Sequence, residues 1–139
     1  MAKTSPAGKA YRDLRKTALS YPEAVEDFPW GEPVMKVRGK IFCFLELDAE
    51  ALYVTAKLPQ TSGIALMLPS VEPTGYNLGR SGWVTGTFAR TSEPPVKMLL
   101  AWMDESYRSV APRRLVASLD AREPKTGTRV EARPRRGKR

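Results

Sequence analysis

Apolar residues recur at helical spacing near the start of the chain and again near its end. Over residues 7–19 the spacing predicts an amphipathic helix with Tyr11, Leu14 and Ala18 on its buried face. A longer apolar stripe predicts a second helix over residues 96–110, followed after Pro112 by a last helical piece around residues 115–119. The opposite face of the first helix carries a basic stripe that is typical of a solvated surface: Lys9, Arg12 and Lys16.

Between these helices the pattern is that of strands. Residues 34–37 and 40–47 are apolar runs, and they are joined by Arg38-Gly39, a two-residue link ending in glycine as tight hairpins favour. Side chains alternate between apolar and polar over residues 52–57, which predicts the third strand of an antiparallel meander. Residues 83–88 predict a further strand.

Two segments between the third and fourth strands lack a clear period. Pro59 suits the first turn of a short helix, whose buried side would hold Ile64 and Met67. Residues 69–82 are rich in proline and glycine and are predicted to form a long loop of the kind that often carries function.

The order of these elements predicts a single compact α+β domain, in which helices pack on one face of an antiparallel sheet. We expect a flexible N-terminus at residues 1–6, the domain at residues 7–120 and a disordered basic tail at residues 121–139, where apolar residues almost vanish. The sequence has no signal peptide and no run of about 20 apolar residues, which predicts a cytoplasmic protein with no membrane association. We also expect a monomer.

The formal net charge of +8 is concentrated at the two ends of the chain. Residues 1–20 hold five basic residues and one acidic residue, and residues 121–139 hold eight basic and two acidic residues. The ends therefore carry +4 and +6, while the hundred residues between them hold ten basic and twelve acidic residues and carry −2. The last seven residues contain five cations that suit a polyanion but read no sequence: Arg133, Arg135, Arg136, Lys138 and Arg139.

Composition excludes several kinds of catalytic site. The chain has no histidine and one cysteine, so it cannot form a histidine-based triad, a thiolate zinc cage or an internal disulfide. Cys43 lies in an apolar strand and is expected to be an inert core residue. Two acidic groups, residues 23–27 and Asp104-Glu105, are expected to be solvated, and residues 75–81 lack the ending of a phosphate-binding loop. We therefore expect no enzyme activity, no cofactor and no metal.

Cations and aromatic residues in the predicted hairpin and long loop favour nucleic-acid binding. Around the hairpin turn and the meander the candidate contacts are Lys36, Arg38, Lys40 and Lys57. In and after the long loop they are Tyr76, Asn77, Arg80 and Trp83. For each of these residues taken alone, an ordinary solvated or core position is a sufficient explanation.

Three separate motifs resemble the MmcQ/YjbR family. The first comprises residues 18–22, 26–37 and 39–42, and the second runs from residues 75–78 through residues 83–85. The third is Glu105-Ser106-Tyr107 with Val110, so that the resemblance spans about residues 10–119 and leaves the basic tail outside.

The resemblance implies a compact α+β fold similar to secretion-chaperone and frataxin-like architectures. It also implies DNA binding through a double-wing arrangement of strands and loops, and no catalytic residues. Family members commonly have histidines in the segment that corresponds to residues 77–82, where this sequence has none. A role that needs imidazole there is excluded.

Two functions from different classes follow, with a third ranked below them. The first is a non-enzymatic DNA-binding protein of low sequence selectivity, which would use its basic arms and the hairpin and loop contacts. The second is a chaperone-like protein-binding module with an aromatic groove formed by Trp30, Trp83 and Trp102. An enzyme or small-ligand protein using the region of Trp30 and Trp83 ranks last, because no acid–base pair accompanies those residues.

Overall fold

A computed structural model describes residues 5–29, 31–75 and 78–122. Its helices are α1 (Pro6–Ser20), α2 (Ser62–Ala65), α3 (Val96–Val110) and α4 (Arg113–Arg122). Its strands are β1 (Ala24–Asp27), β2 (Val34–Val37), β3 (Lys40–Leu47), β4 (Ala51–Lys57), β5 (Val71–Pro73) and β6 (Trp83–Ala89). No helix among these residues is long and apolar enough to cross a membrane.

The strands form one antiparallel sheet in the order β1-β2-β3-β4-β6-β5, and the fold is the predicted α+β arrangement. Helices α1 and α3 pack against β3 and β4 on one face of the sheet. The fully buried side chains between the layers include Leu14 of α1, Leu45 of β3, Val54 of β4 and Met103 of α3. Burial of this apolar surface is the main force that holds the two layers together.

The hairpin between β2 and β3 turns at Arg38 and Gly39 as predicted. Both residues have positive φ, +52° and +80°, which is the backbone of a type I′ turn. A register shift follows in the ladder, since Lys36 pairs with Ile41 whereas Met35 pairs with Cys43. Phe42 is therefore the extra residue of a bulge, and side chains on β3 change faces at that point.

Two short strands were not expected from the sequence. Residues 24–27 form β1, which pairs with β2, and residues 71–73 form β5, which pairs with β6 at the other edge of the sheet. The prediction of a long loop over residues 69–82 is therefore wrong for β5 and for the 3₁₀ turn at Leu78–Ser81. Strands of three or four residues carry too few positions to show a period, and Pro73 suits only an edge strand.

The short helix and the last helix also differ from the prediction. Helix α2 buries Ala65, whereas Ile64 and Met67 are 70% and 81% exposed, so the predicted buried side is wrong. One helical turn is too short for its spacing to define a face. Helix α4 continues to Arg122, two residues past the domain boundary predicted at residue 120.

The motif Glu105-Ser106-Tyr107 on α3 fastens the helix layer to three other segments. The Glu105 carboxylate accepts hydrogen bonds from the backbone of Gln60 and Thr61 at 2.7 and 3.1 Å. Ser106 bonds to β3 and β4, and Tyr107 Oη donates to the Pro22 carbonyl at 2.7 Å. The prediction that Asp104-Glu105 is merely solvated is therefore wrong, because Asp104 also accepts from Tyr21 Oη.

Candidate functional site

The face of the sheet opposite α1 and α3 is defined by cross-strand partners. Thr55 of β4 pairs with Phe44 of β3 and Thr85 of β6, and its hydroxyl lies 2.9 Å from that of Thr85. Two residues along each strand, Lys57 pairs with Trp83, which places both on the same face. We call this surface the open face.

A hollow lies on the open face at the end nearest the β2–β3 hairpin. Its volume is about 500 Å³. The rings of Phe44 and Trp83 form its aromatic part, with centroids 5.9 Å apart and planes at 73°. Both side chains are half-buried, and the hollow is lined by Pro29, Lys36, Gly39, Lys40, Ile41, Phe44, Leu78 and Trp83.

The backbone just before Trp83 is fixed by a close approach between β4 and β6. Gly82 has a φ of +90° and accepts a hydrogen bond from Leu58 N–H at 2.8 Å. A Cβ atom at Gly82 would lie 3.2 Å from the Leu58 carbonyl oxygen, so only glycine fits there without displacement. Farther along β6, Thr85 Oγ1 lies 3.0 Å from Thr74 Oγ1. The strand that carries Trp83 is therefore held on both sides.

The predicted cations around this hollow fall into two groups. Lys36 pairs with Asp27 at 2.8 Å, and Arg38 pairs with Glu23 at 2.5 Å. The predicted acidic turn is therefore not simply solvated, since Glu26 pairs with Arg15 as well. By contrast, the described residues provide no carboxylate partner for Lys40, Lys57 and Arg80.

These three unpaired cations lie at the same end of the open face. Lys40 begins β3, Lys57 ends β4, and Arg80 lies in the 3₁₀ turn before β6. We call Lys40, Lys57 and Arg80 the cationic rim of the hollow. The rim is distributed over both sides of the aromatic pair, because β3 and β6 flank β4 in the sheet.

The opposite end of the open face is acidic. Burial raises the pKa of Glu46, and the nearby charges of Glu32 and Asp48 raise it further. The pKa of Asp48 is lowered because its carboxylate accepts hydrogen bonds from the backbone N–H groups of Ala51 and Glu50. An anion is therefore favoured at the hairpin end and disfavoured at the other.

The predicted tryptophan groove is wrong in its third member. Trp102 is 4% exposed and packs in the core, where Gly86 of β6 leaves room for its indole ring. A Cβ atom at Gly86 would lie 3.2 Å from Trp102 Cη2. Trp83 lies instead in the hollow on the other face, and Trp30 lies outside the described residues.

Other predicted contacts also lie outside the described residues, namely Tyr76, Asn77, Arg133, Arg135, Arg136, Lys138 and Arg139. The sequence prediction missed Phe44, Ile41 and Leu78 as lining residues. The continuous apolar run at residues 41–45 shows no alternation, because the bulge at Phe42 changes faces in its middle. A local pattern therefore gave no signal for Phe44.

The other potential sites on the described surface have structural explanations. A cavity of about 320 Å³ beside α3 contains Asp104 and Arg108, but these pair with each other at 2.8 Å. Burial raises the pKa of Cys43 to about 12, which confirms an inert thiol. Groups of three acidic or thiol side chains suited to a metal are absent from the described part of the chain.

Comparison with known proteins identifies the fold and the family. The chain is similar to the crystal structure of Deinococcus radiodurans protein DR2400, a DUF419 domain, with a TM-score of 0.61 and 21% identity over 86% of this chain and 94% of that one. No curated protein matches the chain. The YjbR family model matches residues 19–109, which include both β-hairpin strands of the hollow and Trp83. The chain therefore belongs to the YjbR family.

Proposed function

We propose that this protein binds DNA without catalysis and with low sequence selectivity, in the cytoplasm. The observation that carries the proposal is the hollow on the open face, where the Phe44 and Trp83 rings adjoin Lys40 and Lys57. Cations contact phosphates and aromatic rings stack on bases, so this combination is typical of nucleic-acid surfaces.

The distribution of charge supports the same proposal. Glu46 is six residues from Lys40 along β3, a distance of about 20 Å at roughly 3.3 Å per residue. This exceeds the screening length of about 8 Å at physiological salt, so the acidic end does not neutralise the cationic rim. The basic ends of the chain, with +4 and +6 by sequence, would add affinity that is independent of base sequence.

Direct binding of a labelled duplex by the full chain tests this proposal. The rim variant Lys40→Gln/Lys57→Gln/Arg80→Gln is compared with Lys9→Gln/Arg12→Gln/Lys16→Gln, which removes the same charge from the exposed stripe of α1. We expect the rim variant to bind more weakly and to reduce the slope of log K against log salt by about two units, at about 0.7–0.9 for each lost phosphate contact.

The α1 variant should retain most of the affinity and most of the slope, because its three lysine and arginine side chains lie on the helix layer. Equal losses in the two variants would show that general charge, and not the hollow, binds the duplex. Absence of binding by the unmodified chain at low salt would refute the proposed function.

A further inference from the structure

We propose that the hollow accommodates an unpaired base, so that the DNA this protein prefers is single-stranded. This inference rests on the proposed function and specifies its substrate. In duplex DNA each base face is covered by its stacked neighbours, whereas a single strand can place a base on an aromatic side chain. The Phe44 and Trp83 rings are therefore useful to a single strand and of no use to an intact duplex.

The dimensions of the hollow fit a ring and not a helix. Its volume of about 500 Å³ is within the range of roughly 300–1,000 Å³ that is typical of small-molecule sites. The lining combines two aromatic rings with the apolar side chains of Ile41 and Leu78. A planar base can remove this apolar area from water, which a phosphate backbone cannot do.

The cations are placed where the backbone of such a strand would pass. Lys40 lies on the β3 side of the rings, and Lys57 and Arg80 lie on the β4 and β6 side. A strand that crosses the sheet with one base in the hollow would thus have a cation near the phosphates before and after that base. The acidic end at Glu46 and Asp48 disfavours a path along β3 toward the far edge.

The site is built in advance of binding. Gly82 and Leu58 fix the backbone before Trp83, and the three threonine hydroxyls of residues 55, 74 and 85 join β4, β6 and the segment after β5. Fixed aromatic side chains lose little conformational entropy on binding, so stacking there contributes to affinity nearly in full.

The test compares an oligothymidylate with a blunt duplex of equal length, both binding to the full chain at the same salt concentration. We expect the single strand to bind more tightly and to quench part of the intrinsic tryptophan fluorescence. Trp83→Ala should weaken single-strand binding by about 5- to 100-fold, the range for loss of one stacked base, and leave duplex binding within about twofold.

Two further variants separate stacking from folding. Trp83→Phe retains an aromatic ring and should keep most of the single-strand preference, even if Trp83→Ala proves unstable. Tyr53→Ala removes a half-buried aromatic residue from the acidic end of the same face and should leave the preference unchanged.

The outcomes distinguish this inference from the proposed function. Equal affinities for single strand and duplex, or an equal loss of both in Trp83→Phe, would overturn the single-strand inference while DNA binding stands. Tighter binding of an oligouridylate of the same length would overturn the assignment to DNA. Failure of the chain to bind either DNA would refute the proposed function itself.

Discussion

Ser106 links three elements through one hydroxyl group. Its Oγ donates to the Phe42 carbonyl at 2.5 Å and accepts from the Lys57 N–H at 2.9 Å, and the side chain is fully buried. Phe42 lies at the bulge, outside the pairs of the β2–β3 and β3–β4 ladders, so its carbonyl obtains a hydrogen bond from a side chain. The same hydroxyl thereby sets the position of Lys57 at the rim of the hollow.

Replacing Ser106 with alanine should lower the free energy of unfolding by about 2–4 kcal/mol. Two buried backbone groups would lose their partner, and each unsatisfied group costs about 1–3 kcal/mol. Urea denaturation measures the change, with Ser109→Ala as the control because Ser109 is exposed on the same helix. The control should stay within about 0.5 kcal/mol of the unmodified chain. A similar small effect of Ser106→Ala would mean that this hydroxyl does not hold the bulge.

Trp102 illustrates why burial of a single residue is hard to predict from sequence. On the helix it lies at the flank of the apolar stripe of α3, which suggested an exposed position. Its burial depends on Gly86, a residue on β6 whose missing side chain leaves the space that the indole ring fills. That fit joins residues far apart in the chain, so no local period contains it.

At the scale of elements, β1 changes the electrostatics of the site more than any other feature. Its segment supplies Glu23, Glu26 and Asp27, which pair with Arg38, Arg15 and Lys36 respectively. Two of those cations were predicted to contact nucleic acid. The sequence could place the acidic residues near one another, but only the pairing of β1 with β2 places each beside its cation. The sequence was therefore sufficient to find the cations and insufficient to tell which are free.

Asp27→Asn should increase the affinity of the chain for DNA by up to about fivefold at neutral pH. The change releases Lys36, a lining residue of the hollow, from a partly exposed ion pair, and such pairs contribute about 0.2–1 kcal/mol. Asp13→Asn is the control, because it removes the same charge from the Lys9 pair on α1. Fluorescence anisotropy compares the two variants, and an equal gain in both would mean that only net charge matters.

The pH dependence of this effect has a defined sign. Hydrogen bonds from Lys36 and from the Phe28 N–H hold the pKa of Asp27 below its ordinary value. The carboxylate therefore stays charged, and keeps Lys36 paired, until the pH falls through that lowered pKa. The unmodified chain and Asp27→Asn should differ at neutral pH and converge in acid, where the stability contributed by the pair is also lost.

At the scale of the whole molecule, periodicity and charge predicted different things with different success. Strand alternation and helical spacing located β2, β3, β6 and α3 to within a residue or two, because those elements are long enough to repeat their pattern. The segments that surround the hollow are instead turns, a bulge and short strands. Their positions depend on contacts between distant parts of the chain, which explains why the candidate site emerged only with the fold.

The division of charge along the chain leads to a final prediction about the C-terminal segment, which lies outside the described residues. Its five cations carry charge but no aromatic ring, so we expect them to add affinity without adding preference. Replacing Arg133, Arg135, Arg136, Lys138 and Arg139 with glutamine should reduce the salt slope by up to about 4.5 for a duplex and about 3.5 for a single strand.

The ratio of single-strand to duplex affinity should survive that replacement nearly unchanged, since the rings that create it are in the hollow. Titrations of both DNAs across a salt series, for the full chain and the substituted chain, measure slope and ratio together. The rim variant is the complement, because it keeps all five C-terminal cations while weakening the site on the sheet. If the ratio fell to one in the C-terminal variant and persisted in the rim variant, the preference would arise in the C-terminal segment, and the hollow would have no part in it.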